Sequence, residues 1–214
     1  MSKLISIEEA VSHIKDGMTI MYGGFLGAGT AVKLVEAIAK KGVKNLTIIG
    51  NDTAYPNTAI GMLIANHQVK KLIASHIGTN ADTVQQFNDK ELEIEFVPQG
   101  TLAERIRCGG AGLGGVLTQT GLGTVVETGK RKIEIDGKDY LLELPLHADV
   151  AIIGASVCDT TGNAIYKRTT QNFNPMMATA ADLVIVETKE LVEVGTIPME
   201  NIHTPGIYVD YIVK

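Results

Sequence analysis

Seven consecutive residues, Gly23-Gly24-Phe25-Leu26-Gly27-Ala28-Gly29, are the segment of this sequence best suited to hold a ligand. They follow a short apolar run and precede a helical pattern. Backbone amides in such a loop, with those of the next helix N-terminus, attract phosphate or carboxylate groups. Glycine also lets a ligand approach the main chain closely. A tight turn that needs positive φ would use the same residues, so both readings stand. The familiar nucleotide loops fit poorly. Gly24 and Gly29 have GxxxxG spacing, but Thr30-Ala31 follows where a P-loop needs lysine and Ser/Thr. A dinucleotide fingerprint beginning at Gly27 needs glycine where Val32 stands. Asp52 does lie where a ribose-binding acid would, which keeps a nicotinamide dinucleotide open.

Other residue groups are weaker candidates. Pro98–Gly115 is a second glycine-rich segment beyond the end of a predicted strand, the usual ligand edge of an open α/β sheet. Within it, Glu104 and Arg105 are either a catalytic pair or an ion pair that shapes the loop. Gly154-Ala155-Ser156-Val157-Cys158 nearly spells a hydrolase elbow, but Cys158 replaces the final glycine, so a core strand end is the better reading. The five histidines have no metal-ligand spacing. Lys130-Arg131-Lys132 is followed by acids and reads as a solvated hairpin face.

The elements that must position these residues alternate. Ser6 with Glu9 forms a capping box for a helix through about Ile14. Met18–Tyr22 is a buried strand, and Thr30 is placed to cap a helix that ends at Lys40-Lys41-Gly42. Leu46–Ile49 completes a βαβ unit. Helices are predicted near Ala59–Asn66, Asp82–Asn88, Leu102–Arg107 and Pro175–Ala181. Further strands are predicted at Val69–Ser75, Leu92–Val97, Asp149–Ala155, Leu183–Glu187 and Gly206–Val213. Lys132–Leu144 is a β-hairpin about Asp136-Gly137. The expected fold is α/β: an open, mostly parallel sheet with flanking helices and a β-hairpin insertion, in one domain over residues 1–214.

Composition bounds the function. Lys and Arg total 19 against 24 Asp and Glu, a formal charge of −5, which argues against general nucleic-acid binding. At 45% hydrophobic and 20% charged residues, the 214-residue chain can build a normal core. No apolar stretch is long enough to span a bilayer, and Met1–Ser6 runs into Glu8-Glu9 without the apolar core of a signal peptide. Cys108 and Cys158 lie far apart, as buried thiols in a reducing cytosol would. A cytoplasmic protein is expected.

The motifs together resemble a known family. Asp16–Gly29 is similar to the first signature of the family I coenzyme A transferases, and Gly50-Asn51-Asp52-Thr53, Ala74–Asn80, Pro98–Gly115 and Asn172-Phe173-Asn174-Pro175 look like the same family. The likeness runs nearly end to end and is greatest with the alpha subunits of two-chain members. Tyr22 and Ala31 depart from it, where an aliphatic residue and a proline are usual.

The resemblance implies transfer of CoA from a short-chain acyl-CoA (acetyl-, butyryl- or acetoacetyl-CoA) to a short-chain carboxylic acid. It implies a glutamyl-CoA thioester on a partner chain, the beta subunit of the transferase, so that no catalytic nucleophile is expected in this chain. It assigns Gly23, Gly24, Phe25, Leu26, Gly27, Ala28 and Gly29 to CoA. Gln99, Gly109 and Gly110, with the loop through Gly115, are expected near the acyl pocket or the subunit junction. CoA enters as substrate; no permanent cofactor, no metal, no nucleic acid and no membrane is expected, and an α2β2 assembly is. On the same reading, Gly24→Val should impair CoA binding far more than folding. The alternatives are a stand-alone small-molecule binding module, a sugar-phosphate isomerase or a nicotinamide enzyme on a related sheet.

Overall fold

A computed structural model describes residues 3–214. Met1 and Ser2, the start of the segment expected to lack a signal peptide's core, lie outside the described residues. Along the chain come α1 (Ile7–Ser12), β1 (Thr19–Tyr22), α2 (Val32–Lys41), β2 (Leu46–Ile49), α3 (Gly61–Ala65), β3 (Val69–Ala74), α4 (Ala81–Asn88) and β4 (Glu93–Phe96). There follow α5 (Gln99–Gly110), β5 (Val116–Thr118), β6 (Lys132–Ile135), β7 (Lys138–Glu143), β8 (Ala148–Asp159), β9 (Ala164–Ile165), α6 (Asn174–Met177), β10 (Ala181–Val192) and β11 (Tyr211–Val213).

Among the described residues the main sheet has eight strands. Seven run in the order β11-β10-β8-β1-β2-β3-β4, all parallel, and β9 pairs antiparallel with β8. Alternate side chains feed two cores, as the strand period of two requires. Ile20, Tyr22, Ile48, Val150 and Ile152 face α1, α2 and α3, while Met21, Ile49, Ala151 and Ile153 face α5 and α6. The fold is the α/β architecture expected. β5, β7 and β6 form a separate antiparallel sheet, with the β6–β7 turn at Asp136 and Gly137 carried by positive φ at both residues.

Ser6 caps α1 as expected, its side chain accepting the Glu9 amide at 3.1 Å. Several boundaries differ. The helix predicted at Leu102–Arg107 is α5, twelve residues long, and it takes in Gly109 and Gly110, which were expected in a loop. A Cβ at Gly109 would overlap the Leu146 carbonyl, and one at Gly110 would overlap Thr179, so these glycines let the helix pack closely. β8 and β10 each run twelve residues, well past the predicted ends, because they pair from Ala148↔Ala181 to Asp159↔Val192. The predicted terminal strand starts late. Gly206–Tyr208 is a 3₁₀ turn, and only Tyr211–Val213 joins the sheet. α6 stops at Met177, and Ala181 already belongs to β10.

Candidate functional site

Strand order makes a crevice. β1 connects outward through β2, β3 and β4, whereas β8, β10 and β11 extend the other way, so β1 and β8 meet at the topological switch point. Open α/β sheets bind ligands there, outside the carboxyl ends of the strands. The chain leaves β1 into the glycine loop at this place. Phe25 and Ala28 exchange backbone hydrogen bonds of 3.0 and 2.9 Å around Leu26 and Gly27, both at positive φ (+49° and +86°). That is a mirror-image turn, and holding a leucine there costs about 1–2 kcal/mol.

Side chains from distant segments fix the turn. The Leu26 amide donates to Asp52 Oδ2 at 3.0 Å, and Asp52 Oδ1 accepts the Ala54 amide at 2.7 Å. Asp52 is 3% exposed and each of its oxygens already accepts a loop amide, which argues against a role as ribose ligand. Asn51 Nδ2 donates to the Gly24 carbonyl at 2.7 Å. On the other flank Asn172 accepts the Gly24 amide at 3.0 Å and donates to the Ala28 carbonyl at 2.8 Å. Asn174, fully buried, accepts the Gly154 amide and donates to the carbonyls of Gly29 and Thr170.

The helix start differs from the sequence reading. Ala31, not Thr30, is the N-cap residue of α2 and makes no side-chain capping bond. Thr30 points its hydroxyl beneath Gly24, where it is buried and has no partner among the described residues. The capping task falls to Glu187 on β10, whose Oε2 accepts the Leu34 amide at 2.9 Å. A phosphate at this helix end would therefore meet a carboxylate. Burial raises the Glu187 pKa, and the amides of Leu34 and Lys33 only partly offset it. A carboxyl whose folded pKa is raised favours the folded state most when protonated. Stability should fall as pH rises from the usual glutamate value of 4.5 through the higher folded value. Glu187→Gln should flatten this decline in denaturation midpoints measured from pH 4 to 8; an unchanged slope would contradict it.

Tyr22 lies under the loop, 2% exposed. Its ring occupies the space that a Cβ at Gly50 would need, and among the described residues its hydroxyl makes no hydrogen bond of normal geometry, with the Asp52 main chain as its polar neighbour. Burial, with the charge of Asp52, pushes its phenol well above its usual pKa. Tyr22→Phe removes an unsatisfied group at constant shape and should stabilise the protein by about 1 kcal/mol in urea titrations; destabilisation would show a hidden partner. Ala31 keeps φ at −75°, within the range proline would impose.

Gln99 opens α5 at the same sheet edge. It donates to Asn51 Oδ1 and accepts from Ser75 Oγ, so it connects through Asn51 to Gly24. Gly109 and Gly110 are not brought to the loop; they lie at the far end of α5, about 15 Å along the helix axis. Glu104 and Arg105 do not pair with each other. Glu104 holds Arg107 on the surface, whereas Arg105 is buried against Glu95 and Glu143. Ser156 lies inside β8, so there is no elbow, and its Oγ accepts the Lys167 amide. The basic hairpin segment is solvated at Arg131 and Lys132, as read, with Lys132 also pairing with Glu127; Lys130 instead turns to the buried Glu143. Cys158 is buried in the same strand, which raises its thiol pKa to about 12. Among the described residues no three His, Cys, Asp or Glu side chains converge on a metal site, and no helix is long and apolar enough to cross a membrane.

Asn174 and Glu187 were given no role in the sequence reading. Asn174 lies within the Asn172-Phe173-Asn174-Pro175 motif, but nothing local marks Glu187.

The arrangement is that of an open α/β ligand-binding protein whose crevice is framed by a rigid, asparagine-braced glycine loop. The chain belongs to the coenzyme A transferase family, whose model matches residues 4–214. It is 60% identical over 213 residues to the acetoacetyl-CoA:acetate/butyrate CoA transferase alpha subunit of Clostridium acetobutylicum, covering 100% of this chain and 98% of that one. It is 54% identical to the acetate CoA-transferase subunit alpha of Escherichia coli K12, covering 99% and 96%. An acyl-CoA transferase of E. coli O157:H7, solved as a thioester complex with CoA, superposes with a TM-score of 0.89 at 24% identity, over 99% of this chain and 47% of that one. This chain therefore spans about half of that structure. Glutaconate CoA-transferase from Acidaminococcus fermentans matches with a TM-score of 0.86 at 20% identity, over 99% of this chain and 75% of that one. At these identities the two structures share the fold.

Proposed function

We propose that this chain is the alpha subunit of a two-chain CoA-transferase that moves CoA between short-chain acyl-CoA (acetyl-, butyryl- or acetoacetyl-CoA) and short-chain acids. The observation that carries the reading is the 60% identity, over essentially the whole of both chains, to an acetoacetyl-CoA:acetate/butyrate transferase alpha subunit. The chain acts as one domain, 1–214, in the cytoplasm, and its partner is a beta subunit in an α2β2 assembly.

A glutamate carboxylate of that partner attacks the thioester carbonyl and expels CoA thiolate, leaving an acyl-glutamyl anhydride. The thiolate attacks the glutamyl carbonyl, which releases the donor acid and forms glutamyl-CoA. The acceptor carboxylate then attacks glutamyl-CoA and expels the thiolate. The thiolate takes the new acyl group and frees the glutamate. Every intermediate is an activated carbonyl that water would destroy, so the crevice must be closed to solvent. This chain contributes position. Gly23–Gly29 hold CoA, and Gln99, tied to the loop through Asn51, borders the acyl group. The amides of Gly27 and Gly29, which have no partner among the described residues, are the donors free to meet it. The nicotinamide and sugar-phosphate readings lose support because Asp52 and the α2 N-terminus are internally occupied.

Mixing the purified chain with its beta subunit should yield acetoacetate-dependent CoA exchange that neither chain supports alone. A well-assembled but inactive mixture, or full turnover by this chain unaided, would refute the proposal.

A further inference from the structure

A cavity of about 340 Å³ is shared by β4, α5 and β7, at the edge of the main sheet. Its size falls within the roughly 300–1,000 Å³ of small-molecule sites. β4 lies three strand spacings from β1, roughly 14 Å across the sheet, so the cavity is separate from the crevice at the switch point. Arg105 faces into it and is 8% exposed. Its Nε donates to the Leu144 carbonyl at 2.8 Å and its Nη1 to Glu95 at 2.6 Å, which leaves Nη2 without a hydrogen bond among the described residues. Arg131 lines the same cavity, and its guanidinium makes no hydrogen bond or ion pair among the described residues. The two lining carboxylates are already committed, Glu95 to Arg105 and Lys71, Glu143 to Lys130. With Lys130, three cations face these two carboxylates, an excess of one positive charge. Leu142 and Leu144 supply the apolar wall.

We propose that this cavity is a second small-molecule site, for a monocarboxylate with a short apolar tail, its carboxylate on Arg105 Nη2 and the Arg131 guanidinium and its tail against Leu142 and Leu144. A planar guanidinium suits a carboxylate better than an ammonium does. The single excess charge matches a monoanion, while Glu95 and Glu143 repel anions of higher charge. Arg105 is held by β4 on one side and by the Leu144 backbone on the other, so its free edge is ordered before the ligand arrives. The inference stands apart from the transferase reading, because none of these residues belongs to the crevice.

The test uses the assembled two-chain enzyme and its Arg131→Ala, Leu144→Asn and Lys40→Ala variants. All three side chains are exposed, and Arg105 is left intact because it holds the fold. Calorimetry measures binding of hexanoate, 1-hexanol and inorganic phosphate, and kinetics give the KM for acetate. Hexanoate should bind the parent about tenfold or more tightly than either hexanol or phosphate. Arg131→Ala should weaken hexanoate by about tenfold, Leu144→Asn by about fourfold, and Lys40→Ala should match the parent. The KM for acetate should stay within about twofold in every variant. The inference is overturned if the parent fails to bind hexanoate, if Arg131→Ala binds it as the parent does, or if phosphate binds as tightly. It is also overturned if the KM for acetate rises in step with the loss of hexanoate, since the residues would then belong to the substrate site. Binding by this chain alone that vanishes on assembly would overturn it too, because the partner would cover the cavity. Absence of CoA transfer by the parent would instead refute the functional reading, while the hexanoate titration would still judge the cavity.

Discussion

Asn174→Ala is expected to cost about 4 kcal/mol of folding stability and to disorder the crevice. The side chain is fully buried and serves three backbone groups on three segments. It accepts from Gly154 at 3.0 Å on β8, donates to Gly29 at 3.0 Å in the loop, and donates to Thr170 at 2.8 Å before α6. Each buried group left unpaired costs about 1–3 kcal/mol. A shortened side chain also leaves a cavity where β1 and β8 meet, since Gly23 packs directly on this amide. Asn174→Asp should fare no better. It keeps the acceptor for Gly154 but turns a carboxylate oxygen toward two carbonyls. Urea denaturation of the chain measures the stability, and the KM for acyl-CoA in the assembled enzyme reports the loop. A loss below about 1 kcal/mol would mean that water replaces the amide at little cost.

The same packing corrects an expectation from sequence. Gly24→Val was expected to injure CoA binding and spare folding. Gly24 has φ +151°, and a Cβ there would overlap Thr30 Oγ1, so the substitution strains the folded chain itself. Gly23, Gly24 and Gly29 serve the protein's own close packing, whereas a Cβ at Gly27 would meet only ordinary contact.

Arg105→Met carries the second large effect, about 3–5 kcal/mol. Arg105 donates from Nη1 to Glu95 at 2.6 Å and from Nε to the Leu144 carbonyl at 2.8 Å, with Glu143 Oε2 3.9 Å away. It thereby joins α5, β4 and the antiparallel sheet. Glu143 is 2% exposed and would keep Lys130 as its one ion-pair partner among the described residues. Breaking a buried pair from one side leaves an uncompensated charge, whereas removing both partners often costs little. Arg105→Met/Glu143→Leu should therefore recover most of the loss. A double variant as unstable as the sum of its singles would show that the two residues act independently.

Much of the architecture was legible locally. The short apolar runs at Met18–Tyr22 and Leu46–Ile49, the Ser6 N-cap and the Asp136-Gly137 turn each depend on neighbours within a few residues, and each formed, the first strand beginning at Thr19. Element ends were legible only where a local stop signal existed. Gly42, at φ +74°, ends α2 where the sequence placed it. Gly109 and Gly110 read as breakers, yet α5 runs through both. Close approach to Leu146 and Thr179 outweighs the roughly 1 kcal/mol that each helical glycine costs.

By itself the sequence determined the alternating α/β order, the glycine turn after the first strand and the family to which the chain belongs, because these rest on short-range periodicity, backbone permissiveness and motif. Which groups the turn needs was decided only in three dimensions. Glu187 reaches Leu34 across 153 positions, and Asn174 reaches Gly29 across 145. Thr30, the local choice for the helix cap, was turned inward instead. A buried amide takes whichever partner the packed sheet carries to it, and separation along the chain does not constrain that choice.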